Sequence, residues 1–221
     1  MVKTACISPG FQELSAETAL VSSPKQQREL QLIRRAQQND LDAFTELVDE
    51  YQNPVFRQAY WLLGEPEAAE DAAQEAFYRA YCKIHTFNGP SFRAWIMRIT
   101  TNYCLDQLRQ FRKHPSVPLA AGCSATSEVN ENSRWLRDPC PTPEQVVERS
   151  ELRAGIQKCL LSLPPKYRIP IILVDIQEMA YQDAAQVMGM RLGSFKSRLS
   201  RGRAQLMQAT LRMLNANPHY S

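Results

Sequence analysis

From Ala184 to Ser221 the chain carries Arg191, Lys196, Arg198, Arg201, Arg203 and Arg212 and neither Asp nor Glu. A segment of one sign is suited to neutralising phosphates, the dominant source of affinity for DNA. A second group is mixed. Arg98, Asn102, Asp106, Arg109 and Lys113 follow at intervals of 4, 4, 3 and 4, so a helix would align them on one ridge. An Asn between cations can hydrogen-bond a base edge while its neighbours hold phosphates, and Asp106 can orient Arg109 by an i,i+3 contact. The same spacing describes a solvated ridge with an ion pair. Just before it, Phe87 and Asn88 occupy a loop and Trp95 begins the ridge. Aromatic groups beside cations hold unstacked bases, and core packing is the alternative for each ring. A third group, Asp71, Gln74, Glu75 and Tyr78, puts two acids, an amide and a phenol on one side of a helix. That face suits a basic partner helix, or simply water.

Chemistry of other kinds lacks its residues. His85, His114 and His219 stand alone. The six cysteines (Cys6, Cys82, Cys104, Cys123, Cys140, Cys159) form no CxxC, and no His lies at zinc-ligand spacing. Neither clustered metal-binding carboxylates nor a Gly-rich phosphate loop occurs. No catalytic residue, metal or cofactor is therefore expected, and the thiols read as reduced cytosolic cysteines. A net charge of +3 over 221 residues makes the basic character local, and the length suits one or two modest domains. No apolar run is long enough to span a bilayer and no secretory pattern opens the chain, so a cytoplasmic protein is expected.

The elements that must position these groups are helical throughout. Residues 1–26 read as a flexible extension. Helices are predicted over 27–38, over 40–63 with Pro54 inside, over 66–84 after the Gly64 stop, and from Ser91, as N-cap, to about Lys113. Ala69, Ala73, Ala76 and Ala80 would let the third helix approach a neighbour, and Phe92, Ile96, Ile99 and Tyr103 form the apolar stripe of the fourth. Residues 114–142, rich in Pro, Ser and Asn, read as a linker. A second helical block spans 143–214 before a short tail, 215–221. In it Tyr181–Met188, a break at Gly189 and a helix from Leu192 make a helix-turn-helix. The predicted class is all-α: two small helical domains on a tether, the C-terminal one a helix-turn-helix.

Together these features resemble bacterial sigma factors of the extracytoplasmic-function group. The likeness rests on AEDAAQEAFYRAY (69–81), on FNGPSFRAWIMRITTNYCLDQLRQFRK (87–113) and on LLSLPPKYRIPIILVDIQEMAYQDAAQVMGMRLGSFKSRLSRGRAQL (160–206), in that order. It implies an alternative sigma subunit that binds core RNA polymerase, directs it to promoters with −35 and −10 elements and helps melt the −10 segment. On this likeness Asp71, Gln74 and Glu75 would face the polymerase. Asn102, Asp106 and Arg109 would lie beside the −10 DNA, and Phe87 and Asn88 would pocket a flipped base. Ser194, Lys196, Ser197, Arg198, Ser200 and Arg201 would lie on the −35 recognition helix, with Phe195 and Leu199 packed inward beside Leu192. Arg191 stands where the family often has Pro, adding a phosphate contact. The likeness also implies an anti-sigma partner. The competing reading is a stand-alone helix-turn-helix regulator.

Overall fold

The computed structural model describes residues 24–113 and 143–216. The first predicted extension (to residue 23), the linker and the tail from residue 217 lie outside the described residues. The described chain forms α1 (Pro24–Gln37), α2 (Leu41–Leu63), α3 (Pro66–Lys83), α4 (Phe92–Lys113), α5 (Pro143–Ser162), α6 (Pro165–Ile171), α7 (Tyr181–Val187) and α8 (Leu192–Ala216). A 3₁₀ turn, Ile84–Thr86, follows α3, and a π-turn, Ile172–Ile176, follows α6. No strand occurs among the described residues, in agreement with the predicted all-α class. Helix ends fall within a few residues of those read from the sequence, the largest shift being the start of α1 at Pro24 rather than residue 27.

Two compact units are distinguished, one ending at Leu47 and the other beginning at Val48. In the first, Leu32, Ile33, Ala36, Phe44 and Leu47 are buried. Asn39, at φ 68°, turns the chain out of α1. Asp40 then caps α2, its Oδ1 accepting the Ala43 N–H at 3.0 Å. That backbone bond, with the Arg35 guanidinium, holds the Asp40 carboxyl below its ordinary pKa.

In the second unit the small-residue face of α3 is built from Ala69, Ala72, Ala76 and Ala80, all buried. Ala72 takes the place expected of Ala73, which is only half-buried. The core face of α4 is also broader than its predicted stripe. Phe92, Ile96, Met97, Thr100, Thr101 and Cys104 are buried, whereas Ile99 and Tyr103 are half-buried. The two threonines survive burial because each hydroxyl donates one turn back, Thr100 to the Ile96 carbonyl at 2.9 Å and Thr101 to the Met97 carbonyl at 2.8 Å. Gln58 of α2, fully buried, donates to the Met97 carbonyl at 3.0 Å and to Thr101 Oγ1 at 2.6 Å. Pro54 lies inside α2 without ending it.

Among the C-terminal helices, Pro164 and Pro165 open α6, where the missing N–H costs nothing. Pro170 cannot donate within the helix, and the chain passes into the π-turn directly afterwards. Gly202 is where α8 crosses α6: a Cβ there would lie 2.8 Å from the Tyr167 carbonyl oxygen. At the break between α7 and α8, Gly189 takes φ 62°, a conformation that suits glycine. Phe195 and Leu199 pack fully inward, while Leu192 is half-buried.

Candidate nucleic-acid and polymerase interface

The polar ridge of α4 is present as a surface. Arg98, Asn102, Asp106 and Arg109 are all exposed. Burial of Met97, Thr101 and Cys104 fixes the rotation of the helix and leaves the i+4 neighbours of Arg98 outward. Asp106 and Arg109 form an ion pair at 3.0 Å with both side chains more than half exposed. Such an exposed pair adds little stability. The Lys113 side chain lies outside the described residues.

The loop before α4 is built differently from an open aromatic platform. Phe87 is only 8% exposed. Its ring lies 5.7 Å from that of Phe92 and 5.1 Å from that of Trp95, and the Phe92 and Trp95 rings are 5.6 Å apart. Tyr51 joins at 5.3 Å from Phe92. Asn88 stands exposed at the edge of this cluster, and Trp95 is half-buried. A Cβ on Gly89 would come within 3.2 Å of the Phe87 ring, so the loop is drawn tightly over it. Ser91 Oγ accepts the Ala94 N–H at 3.2 Å, which makes it the N-cap that the sequence suggested.

On α3, Asp71, Gln74 and Tyr78 are exposed, Tyr78 at 66%. Glu75 is half-buried and paired with Arg79 at 2.7 Å. The Arg79 guanidinium in turn lies 4.9 Å above the Tyr103 ring of α4. Glu75 is thus tied through Arg79 to α4; its i,i+4 pairing with Arg79 was open to the sequence and was missed, whereas the contact with Tyr103 is set by tertiary packing.

In the helix-turn-helix, Arg191, Ser194, Lys196, Ser197, Ser200 and Arg201 are exposed and Arg198 is half-buried. Burial of Phe195 and Leu199 one turn apart turns these residues outward together. Ser197 Oγ donates to the Gly193 carbonyl at 3.1 Å. Arg203 behaves otherwise: it closes on Asp175 of the π-turn. Hydrogen bonding to that carboxylate is the main reason its pKa is raised further above the ordinary arginine range, with Tyr181 contributing. Tyr181, Lys196, Leu199, Ser200 and Arg203 line a shallow hollow beside the recognition helix. No group of three or more potential metal ligands occurs among the described residues.

Comparison with known proteins agrees with this geometry. The family model described as sigma-70 region 2 matches residues 47–114, and that described as sigma-70, region 4 matches residues 153–206. The chain is 36% identical over 175 residues to the "ECF RNA polymerase sigma factor SigW" of Bacillus subtilis, covering 79% of this chain and 92% of that protein. Among solved structures, CnrH in complex with the cytosolic domain of CnrY matches at a TM-score of 0.59, with 23% identity, covering 86% of this chain and 99% of that one. The sigma factor RpoE of Bartonella quintana, in complex with the anti-sigma factor NepR, matches at 0.54 with 26% identity, covering 74% and 96%.

Proposed function

The chain belongs to the extracytoplasmic-function sigma factors, and from that premise we propose how its helices divide the work of starting transcription. It is an alternative sigma factor, a regulatory rather than catalytic subunit, that directs RNA polymerase to promoters. Core polymerase and promoter DNA are its partners. The α3 face formed by Asp71, Gln74, Glu75 and Tyr78 docks on a basic helix of the polymerase. The α4 ridge of Arg98, Asn102, Asp106, Arg109 and Lys113 tracks the −10 strand once it is melted. Half-buried Trp95 offers an aromatic face and exposed Asn88 a polar rim against which one unstacked base is held, with buried Phe87 packed behind Trp95 rather than touching the base. The recognition helix reads the −35 duplex: Ser194, Lys196, Ser197, Arg198, Ser200 and Arg201 face the groove, and Arg191 adds a phosphate contact.

One observation carries this division. Each of the two polar faces is turned outward by a buried apolar set on the same helix, Met97 and Cys104 in α4 and Phe195 and Leu199 in α8. The anti-sigma factor bound to the Bartonella RpoE supports a protein partner of that kind here. The protein acts in the bacterial cytoplasm beside the polymerase, and no described helix is long and apolar enough to cross a membrane.

The test separates the faces. With Asp71 and Glu75 both changed to Lys, affinity for purified core polymerase should fall at least ten-fold in a pull-down or anisotropy titration. Binding of the −35 duplex by the free protein should be unchanged. Full core affinity in that variant would remove α3 from the interface.

A further inference from the structure

Arg79 occupies the seam between α3 and α4. It lies one turn after Glu75, and its Nε donates to Glu75 Oε1 at 2.7 Å. Its guanidinium carbon stands 4.9 Å from the centre of the ring of Tyr103, the residue that follows Asn102. A carboxylate at one edge and an aromatic face beneath hold the planar group on two sides, so it gives up little freedom on binding a third partner. The bond to Glu75 uses Nε alone, and the two terminal nitrogens meet no acceptor among the described residues. Arg203 differs, because Asp175 engages its Nε and a terminal nitrogen together. The Arg79 side chain is 41% exposed. Its outer fork therefore faces water with the geometry that suits a phosphate.

We propose that Arg79 binds a backbone phosphate of the −10 strand, and that Glu75 masks its charge until the polymerase docks. The inference rests on the sigma-factor reading, which gives Glu75 to the docking face of α3 and Asn102 to the DNA ridge of α4. Residues advance ~100° per step around a helix. Tyr103 therefore lies on the flank of α4 between Asn102 and the buried Ile96 and Thr100, and is itself half-buried. Arg79 lies likewise on the flank of α3, between Glu75 and the buried Ala72 and Ala76. The pair of flanks makes one continuous surface from the docking face to the ridge.

Electrostatics ties the two ends together. In the free chain Arg79 and Glu75 are neutral as a unit and attract a phosphate weakly. A basic helix set against Asp71 and Glu75 gives the carboxylate a second cation, and the site then carries a net positive charge. The coupling is reciprocal: a phosphate on Arg79 strengthens docking by the factor by which docking strengthens the phosphate contact. Both contacts lie at the surface, so salt weakens each of them.

Anisotropy titrations of the full chain test this, using a labelled mixed-sequence single strand of about 12 nucleotides over a salt series. In the free protein, Arg79→Ala should leave the slope of log K against log salt unchanged while Glu75 is present. In the Glu75→Gln background the same change should reduce the steepness by about 0.7, the release expected for one single-strand phosphate. Arg79→Lys in that background should keep the slope. A general effect of net charge shifts both backgrounds equally, so equal shifts, or none in either, overturn the proposal. With core polymerase at saturation, Arg79→Ala should reduce the steepness by about 0.7 although Glu75 is present; an unchanged slope there overturns the masking. Should Arg79→Ala lose helix content by circular dichroism, Arg79→Gln takes its place. The core-binding titration of the chain with Asp71 and Glu75 changed to Lys keeps the two readings apart. Full core affinity beside unequal shifts in the free protein removes the docking face and leaves the phosphate contact. Lost core affinity beside equal shifts removes the role of Arg79 and leaves the docking face.

Discussion

The Arg203 guanidinium meets the Asp175 carboxylate in a two-point contact, Nε lying 3.1 Å from Oδ2 and a terminal nitrogen bonding Oδ1. It joins the recognition helix to the π-turn 28 residues earlier. In the sequence Arg203 is one of six cations in an acid-free segment, and its spacing alone does not disclose a carboxylate partner. The structure gives it a carboxylate partner and makes it a strut between α8 and the π-turn.

Asp175→Asn should therefore lower stability by about 0.5–1 kcal/mol, the range for a partly exposed pair with good geometry. A double-mutant cycle with Arg203→Ala, read by urea unfolding, should return most of that as coupling. The folded pKa of Arg203 is raised, so its contribution is fully present below the ordinary arginine value and is lost only as pH climbs through the higher folded value. The coupling should be flat from pH 6 to pH 9; a fall within that window would show that another group controls it.

Gly202 is a steric requirement of the α6–α8 crossing. Because the Tyr167 oxygen belongs to the backbone, Gly202→Ala cannot be relieved by a rotamer change and should cost about 1–3 kcal/mol. Gly193→Ala is the control. A Cβ there meets nothing within 4 Å, and exchange of glycine for alanine in a helix should gain up to about 1 kcal/mol. Thermal melts that ranked the two the other way would contradict the crossing.

On the recognition helix, Arg198→Ala should weaken −35-dependent transcription and leave core binding intact. If exposed Lys196 holds one phosphate, Lys196→Ala should reduce the slope of log K against log salt by about 0.9. An unchanged slope would move Lys196 off the backbone contact.

Cys104 offers a chemical check on packing. Burial pushes its thiol up to about 12, so almost no thiolate exists near neutrality. Iodoacetamide at pH 8 should modify exposed Cys82 and spare Cys104, as read by peptide mass spectrometry. Rapid modification of Cys104 in the folded protein would mean that the α4 core face is open.

Much of this architecture was legible in the sequence because it rests on local signals. Gly64 and Gly189 marked turns that do take positive φ, Ser91 does cap α4, and the Arg98–Arg109 ridge does lie outward with Asp106 on Arg109. What escaped was set by tertiary contact. Nothing local says that Ala72 rather than Ala73 faces a neighbour, or that Thr100 and Thr101 are buried. Arg168 was invisible as a buried cation because its partners, the Leu62, Leu161 and Leu163 carbonyls, are backbone atoms that any residue supplies. Phe87 and Trp95 were readable as aromatic and not as a packed cluster, since ring contacts depend on how the loop folds over Phe92.

The most direct test of the central claim is run-off transcription with purified core polymerase over a library of bacterial promoter fragments, with and without this protein. The account predicts new discrete start sites that share a two-part upstream sequence and vanish when Arg198 or Asn102 is changed to Ala. Start sites identical with and without the protein, while it still binds duplex DNA alone, would contradict the sigma assignment and return the chain to the class of free-standing regulators.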